Sequence, residues 1–235
     1  MGAHGNLMNK DTRRRIKELI SSGKCLGVWF GFPCGTFSRA RRHDGKGTPP
    51  LRGNCPRTLK GLPGLKPSQR KRVLSANKLL FYTYELCSLC MKHKVPFYLE
   101  NPRSSRVWLW PTVKKLLRDK ATTALLVDYC QYGTDYKKPT QVLCWGNSHI
   151  TKADCRLCKG KGGFCSMSKK QHEKLDGRPS DATNGEWKTT IACPYPLGFC
   201  EHLAPLIVAP YRDTFCTTRA PDASEGNRSS SARIG

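Results

Sequence analysis

Two apolar runs separated by one long helical repeat constrain this chain more than any other feature. Leu26-Gly-Val-Trp-Phe-Gly-Phe32 is continuously apolar and closed by Pro33, and Val95 to Leu99 is a second such run, ending at Glu100-Asn101-Pro102. Both read as buried strands. Between them Val73, Ala76, Leu80, Thr83, Cys87 and Cys90 recur at three- and four-residue steps, which predicts a helix from Pro67 to about His93 with one buried stripe. Proline suits that first turn, where its missing N–H costs nothing. Pro111 opens a further helix through Lys120, Ala124 to Tyr129 reads as a third strand, and Gln141 to Trp145 as a fourth, stopped by Gly146-Asn147. Alternation of strands and helices predicts an α/β fold with a parallel sheet covered by helices. In such sheets chemistry gathers just beyond the carboxyl ends of the strands. Pro33-Cys34 and Glu100-Asn101-Pro102 both fall there.

The rest of the chain divides around this unit. Residues 1–24 form a basic N-terminal segment with one short helix over Asp11–Ile20, and residues 25–150 are the α/β domain. Residues 151–192 turn to Cys, Gly, Lys and His with little apolar periodicity, the pattern of a small inserted module. Residues 193–216 return to the main domain, with a helix starting at Leu197 that Pro205 should end or kink. Residues 217–235 read as a disordered tail.

Charge bounds the partner. Lys plus Arg number 41 against 17 Asp plus Glu, a net charge of +24 on 235 residues. Such an excess points to a polyanion, nucleic acid first and an anionic membrane second, with a basic protein kept soluble by its charge as the plainer reading. No run of 18 apolar residues exists, which excludes a membrane-spanning helix, and the first twenty residues lack the apolar centre of an export signal. Thirteen cysteines, an odd number, scattered through apolar segments, then suggest reduced thiols in an intracellular, reducing compartment, the nucleus being expected from the charge.

Three constellations carry chemistry. Cys34, at a strand end beside the basic, Gly- and Pro-rich stretch Ser38–Lys66, is a candidate nucleophile, although a packed thiol is the commoner role of a lone cysteine. Glu100 leaves a buried strand, where desolvation raises a carboxyl pKa and suits it to donate a proton; capping the following turn is the bland alternative. Cys155, Cys158, Cys165 and His172 have spacings able to close a zinc tetrahedron in a module with almost no core of its own, with Cys193, Cys200 and His202 as possible substitutes. Cys87 and Cys90 lie on the apolar helix stripe and read as buried thiols. Arg39, Arg41, Arg42, Arg52, Lys137 and Lys138 are the candidate nucleic-acid contacts. Arg103, Arg106, Trp108 and Trp110 suit either phosphate and base contact or a packed tryptophan pair.

Taken together, Phe32-Pro33-Cys34-Gly35-Thr36-Phe37-Ser38, Tyr98-Leu99-Glu100-Asn101-Pro102 and Tyr132-Gly133 with Lys137, Lys138 and the strand Gln141–Gly146 resemble the DNA cytosine-5 methyltransferase family. The likeness runs from about Leu26 to Trp145, with Pro194-Tyr195-Pro196 weakly similar to the family's closing motif. It implies a Rossmann-like methyltransferase fold with a partial parallel sheet and a small zinc-binding insertion. It implies that Cys34 adds to C6 of a cytosine swung out of the duplex, that Glu100 holds N3 protonated, and that S-adenosylmethionine supplies the methyl group. The family's Gly-rich Phe-x-Gly-x-Gly donor turn has no match in the 32 residues before Pro33. The expectation is therefore a truncated or inactive member, or one whose donor-binding half comes from a second chain. A different class remains open: a non-enzymatic basic protein that binds nucleic acid, or a structural component of a ribonucleoprotein or chromatin, built on the same fold.

Overall fold

The computed structural model describes residues 6–41, 48–175, 177 and 188–217. The chain is an α/β protein built on a four-stranded mixed sheet. Helix α1 (Lys10–Ser21) leads to β1 (Val28–Gly31), a single turn α2 (Pro56–Leu59), the long α3 (Pro67–Lys92) and β2 (Phe97–Pro102). Then follow α4 (Pro111–Leu117), β3 (Thr122–Asp128), β4 (Pro139–Trp145), the short α5 (Lys188–Ile191) and α6 (Leu197–Thr217). Each sequence-predicted strand is present within a few residues of its expected limits.

The order across the sheet is β1-β2-β4-β3. β1 and β2 pair in parallel, Gly31 opposite Glu100, because α3 supplies the crossover that a parallel pair requires. The sheet is not wholly parallel, and that expectation is corrected at β4. Only residues 129–138 join β3 to β4, too few for a helical crossover, so the chain turns back through a 3₁₀ turn at Tyr129–Tyr132 and Gly133 (φ +90°). β4 inserts antiparallel to both neighbours. As a consequence β1, β2 and β3 all run the same way, and their carboxyl ends share one edge with the start of β4.

Side chains alternate across β2. Phe97 and Leu99 face a core layer with Ile20, Leu80, Leu86, Cys87, Val113 and Leu143, contributed largely by α1, α3 and α4. Tyr98 faces the other layer, with Leu125, Val127, Val142, Phe199 and Leu203, contributed by β3, β4 and α6. Cys87 and Cys90 are fully buried, and burial pushes both thiols up, Cys90 to about 12. Trp108 donates to the Pro102 carbonyl at 2.9 Å and Trp110 packs edge-on against Phe37. The tryptophan pair is thus packed rather than offered to bases.

α6 starts at Leu197, as expected. Pro205 does not end it; the helix continues past Pro205 and Pro210 to Thr217. Proline lacks the N–H that would bond the carbonyl four residues earlier. At Pro210 the orphan is the Leu206 carbonyl, and Asn147 Nδ2 donates to it at 3.0 Å. The same amide group donates to the Tyr98 hydroxyl at 2.8 Å, which joins α6 to the centre of the sheet. Of the expected disordered tail, residues 218–235 lie outside the described residues.

Candidate active site and metal centre

The shared strand edge collects the chemistry of the chain. Pro33-Cys34 leaves β1, Glu100 sits near the end of β2 opposite Gly31, and Asn101 Nδ2 donates to the Phe32 carbonyl at 2.7 Å, tying the two strand ends together. Glu100 is 6 % exposed and lies on the Tyr98 face. Its Oε2 accepts a hydrogen bond from the Tyr195 hydroxyl at 3.1 Å, and Trp29 Nε1 donates to that same hydroxyl at 3.0 Å. Its Oε1 is buried and has no partner among the described residues.

Burial raises the Glu100 carboxyl, opposed by the positive charge of Lys138 and the Tyr195 hydroxyl. Burial also raises the Cys34 thiol; Lys138 lowers it, while Cys193 and Glu100 raise it further. Cys34 and Glu100 therefore stand within electrostatic reach of each other, both beside Lys138. For this candidate nucleophile desolvation outweighs the charge of Lys138, so the thiol is raised rather than lowered. Lys138 is pinned above the sheet, donating to the Ala192 carbonyl at 2.7 Å with its ammonium 4.8 Å from the Tyr129 ring centroid.

Tyr195 was visible in the sequence only as part of Pro194-Tyr195-Pro196. Its place is fixed by β1: a Cβ at Gly31 would lie 2.7 Å from the Tyr195 hydroxyl. A glycine there admits the phenol to the carboxylate.

The remaining expected nucleic-acid residues separate into three groups. Arg52 is corrected to a structural role. It is 1 % exposed, stacks 3.8 Å from the centroid of Phe37, and donates to Thr36 Oγ1, the Leu59 carbonyl, Asn77 Oδ1 and the Val73 carbonyl. Burial lowers its guanidinium to about 10. Lys137 is held by Asp128 at 3.4 Å. Arg39 is exposed and Arg41 half-buried, and Arg42 lies outside the described residues.

A candidate metal site forms at the end of β3. The ligand atoms of Cys130, Cys158, Cys165 and His172 lie within 4.8 Å of one another and can hold a metal ion such as zinc. Cys155 is corrected out of the set. Its sulfur accepts from the Leu126 N–H at 3.2 Å and packs against the α6-side core, so Cys130, from the 3₁₀ turn after β3, takes the fourth place. The Ser166 N–H reaches Cys158 Sγ at 3.3 Å and the Met167 N–H reaches Cys165 Sγ at 3.4 Å. Burial opposes ionisation of Cys158, yet donors from Ser166, Gly160 and Cys130 together bring it down to about 6. Cys165 is lowered too, burial again being overcome, by donors from Ser168 and Met167. N–H···S bonds that favour the thiolate are the donor chemistry that zinc selects. A Cβ at Gly160 would lie 1.8 Å from the Phe164 carbonyl oxygen, so the turn closes only with glycine there.

Asp128 links this centre to the sheet. Buried at the end of β3, it accepts from the Cys158 N–H at 2.8 Å and from Arg103 at 3.2 Å. Of the possible substitute ligands, Cys193 and Cys200 are exposed and His202 bonds the Asp154 carbonyl at 3.2 Å; none belongs to the cluster. No protein-family model, curated protein or solved structure matches the chain at a significant level. Among the described residues no helix is long and apolar enough to cross a membrane.

Proposed function

We propose that the chain is a DNA cytosine-5 methyltransferase-like nucleic-acid-binding protein with a Rossmann-like core, in which Cys34 and Glu100 receive a single unstacked pyrimidine and zinc holds the 151–192 module. One observation carries the reading: a buried carboxyl with an unpartnered Oε1 shares the end of a parallel strand pair with a cysteine. A raised carboxyl keeps its proton to higher pH than an exposed one and in that form can donate to a ring nitrogen such as N3 of cytosine. That proton drains electron density from C6. Sulfur then forms a bond to C6, the C5=C6 pair moves to C5, and the thiol proton passes to solvent or to C5. A base reaches such a pocket only when flipped from the duplex.

S-adenosylmethionine would supply the methyl group in the family the chain resembles, but the described residues do not fit it. β1 is the edge strand of the sheet and, among the described residues, only α1 precedes it, so none of them forms a turn to cradle the donor. The proposed chemistry therefore ends at the sulfur–C6 adduct. The zinc site fits better: three cysteine sulfurs and one imidazole converge, two of the thiols already lowered.

A second reading, a non-enzymatic nucleic-acid-binding protein on this fold, is favoured by the raised Cys34 thiol, which leaves little thiolate at neutral pH. An oligonucleotide carrying 2-pyrimidinone in place of one cytosine separates the two, because this ring accepts a thiol at C6 without any methyl donor. The first reading expects an adduct that survives denaturation, is absent from Cys34→Ser, and forms about 100-fold more slowly in Glu100→Gln. Binding without any adduct supports the second reading. Absence of binding overturns both.

A further inference from the structure

Residues 38–78 carry twelve basic side chains and one acidic one, Asp44. The fold draws several of these, and one from the β2 exit, onto the turn that follows Cys34. Arg41 Nε donates to the Gly35 carbonyl at 2.9 Å, and Arg106 Nη1 donates to the Ser38 carbonyl at 2.8 Å. Two guanidiniums thus clasp the two ends of one short turn, which the Phe37 N–H closes onto the Cys34 carbonyl at 2.9 Å. Arg39 directly follows Ser38, whose carbonyl Arg106 bonds, and Arg72 of α3 directly precedes Val73, whose carbonyl Arg52 bonds. Burial first, and then the charge of Arg39 on Arg106 and of Arg72 on Arg41, lowers both clasping guanidiniums. Among the described residues none of these four forms an ion pair with a carboxylate. Buried Arg52 adds a fifth cation directly beneath, bonded only to neutral oxygens.

Like charges held together without counter-charge cost free energy unless an anion completes the arrangement. Arginine is suited to that anion when it is a phosphate, through its planar fork of donors. We infer that Arg39 with Arg106, and Arg41 with Arg72, form a two-phosphate seat on the Cys34 turn, which grips the backbone on either side of the nucleotide presented to Glu100. The inference rests on the nucleic-acid reading above and gives it a register. Phosphates fix where the strand lies, while the Cys34–Glu100 pocket meets the base. Arg52 shapes the seat without touching the ligand.

The test is fluorescence anisotropy with a labelled 20-base-pair duplex DNA across a salt series. Arg39 and Arg72 are exposed and their side chains make no hydrogen bond among the described residues, so Arg39→Ala/Arg72→Ala keeps the fold. The control is Lys24→Ala/Lys92→Ala, the same charge change at the opposite edge, where Ser21 meets His93 beyond the end of α3. The seat predicts an affinity loss of about tenfold and a log–log salt slope shallower by about 2 for the arginine pair, with the lysine pair close to wild type. Equal losses for both pairs would mean diffuse charge and would overturn the seat while leaving nucleic-acid binding intact. Wild-type protein that does not bind at all overturns the nucleic-acid reading, and the seat with it.

Discussion

Asn101 Nδ2 donates a 2.7 Å hydrogen bond to the Phe32 carbonyl, and that bond joins the ends of β1 and β2 directly behind Cys34 and Glu100. Asn101 is fully buried, so no water replaces its amide when it is removed. Asn101→Ala leaves a carbonyl at the strand end without its donor, a loss of about 1–3 kcal/mol. The urea midpoint should fall accordingly, with the slope unchanged. An unaltered midpoint would show that the strand ends are held by packing alone.

Glu100 gives the fold a pH dependence of known sign. Its carboxyl is raised in the folded state, first by burial, so between the ordinary carboxylate value and the raised one the native protein holds a proton that the unfolded chain has lost. Stability is then unaffected by Glu100 below the ordinary value and declines as pH rises through the window. Glu100→Gln removes this decline. The difference in unfolding free energy between the variant and wild type should grow from about pH 4 upward and then level off. A difference that is flat with pH would mean that Glu100 ionises as freely as an exposed carboxylate.

Purified protein should contain about one equivalent of zinc for the four-ligand site. Cys130→Ser should lose most of it, and Cys155→Ser should keep it, because only Cys130 joins Cys158, Cys165 and His172. Gly160→Ala should also shed metal, since its Cβ collides with the Phe164 carbonyl. Limited proteolysis in a chelator should cut first within residues 151–192, whose module has little apolar core to hold it. Retention of metal by Cys130→Ser would return the fourth place to another ligand.

Arg52→Met tests whether that arginine serves the fold or the ligand. It strands Thr36, Asn77 and two backbone carbonyls in the interior, at a cost of about 3 kcal/mol. Thermal stability should fall well before any specific loss of DNA affinity is measurable at low temperature. A stable variant with weakened binding would assign Arg52 to the interface.

The strands were legible because each is an apolar run bounded by proline, glycine or a polar pair, and α3 because its stripe keeps a helical period along most of its length. The insertion of β4 was harder to see. Its cue was length, the ten residues between Asp128 and Pro139, rather than any pattern of apolar residues. Cys155 drew attention because Cys155-x-x-Cys158 is a familiar ligand spacing, whereas Cys130 sits in an apolar stretch where thiols usually pack. Only the fold, bending back at Gly133, brings it beside Cys158. Arg52 lies in a Gly- and Pro-rich basic stretch with no periodicity, so nothing local distinguishes a buried guanidinium from its exposed neighbours.

Thiol reactivity should run against the order that the basic loop suggests. Cys34 is raised, first by burial, with Lys138 giving only partial relief. Cys55 is exposed, and the Thr58 hydroxyl and backbone lower its thiol. Alkylation rate follows the thiolate fraction and access, so iodoacetamide at about pH 7.5, below the ordinary thiol value, should modify Cys55 before Cys34, as peptide mapping after short exposures would show. Lys138→Ala removes a cation that lowers Cys34 and should slow Cys34 further while leaving Cys55 unchanged. Bound oligonucleotide should protect Cys34, because the base is expected at the Cys34–Glu100 edge. Should Cys34 react first in free protein, the pocket would be more open and more polar than its burial indicates, and the non-enzymatic reading would lose its main support.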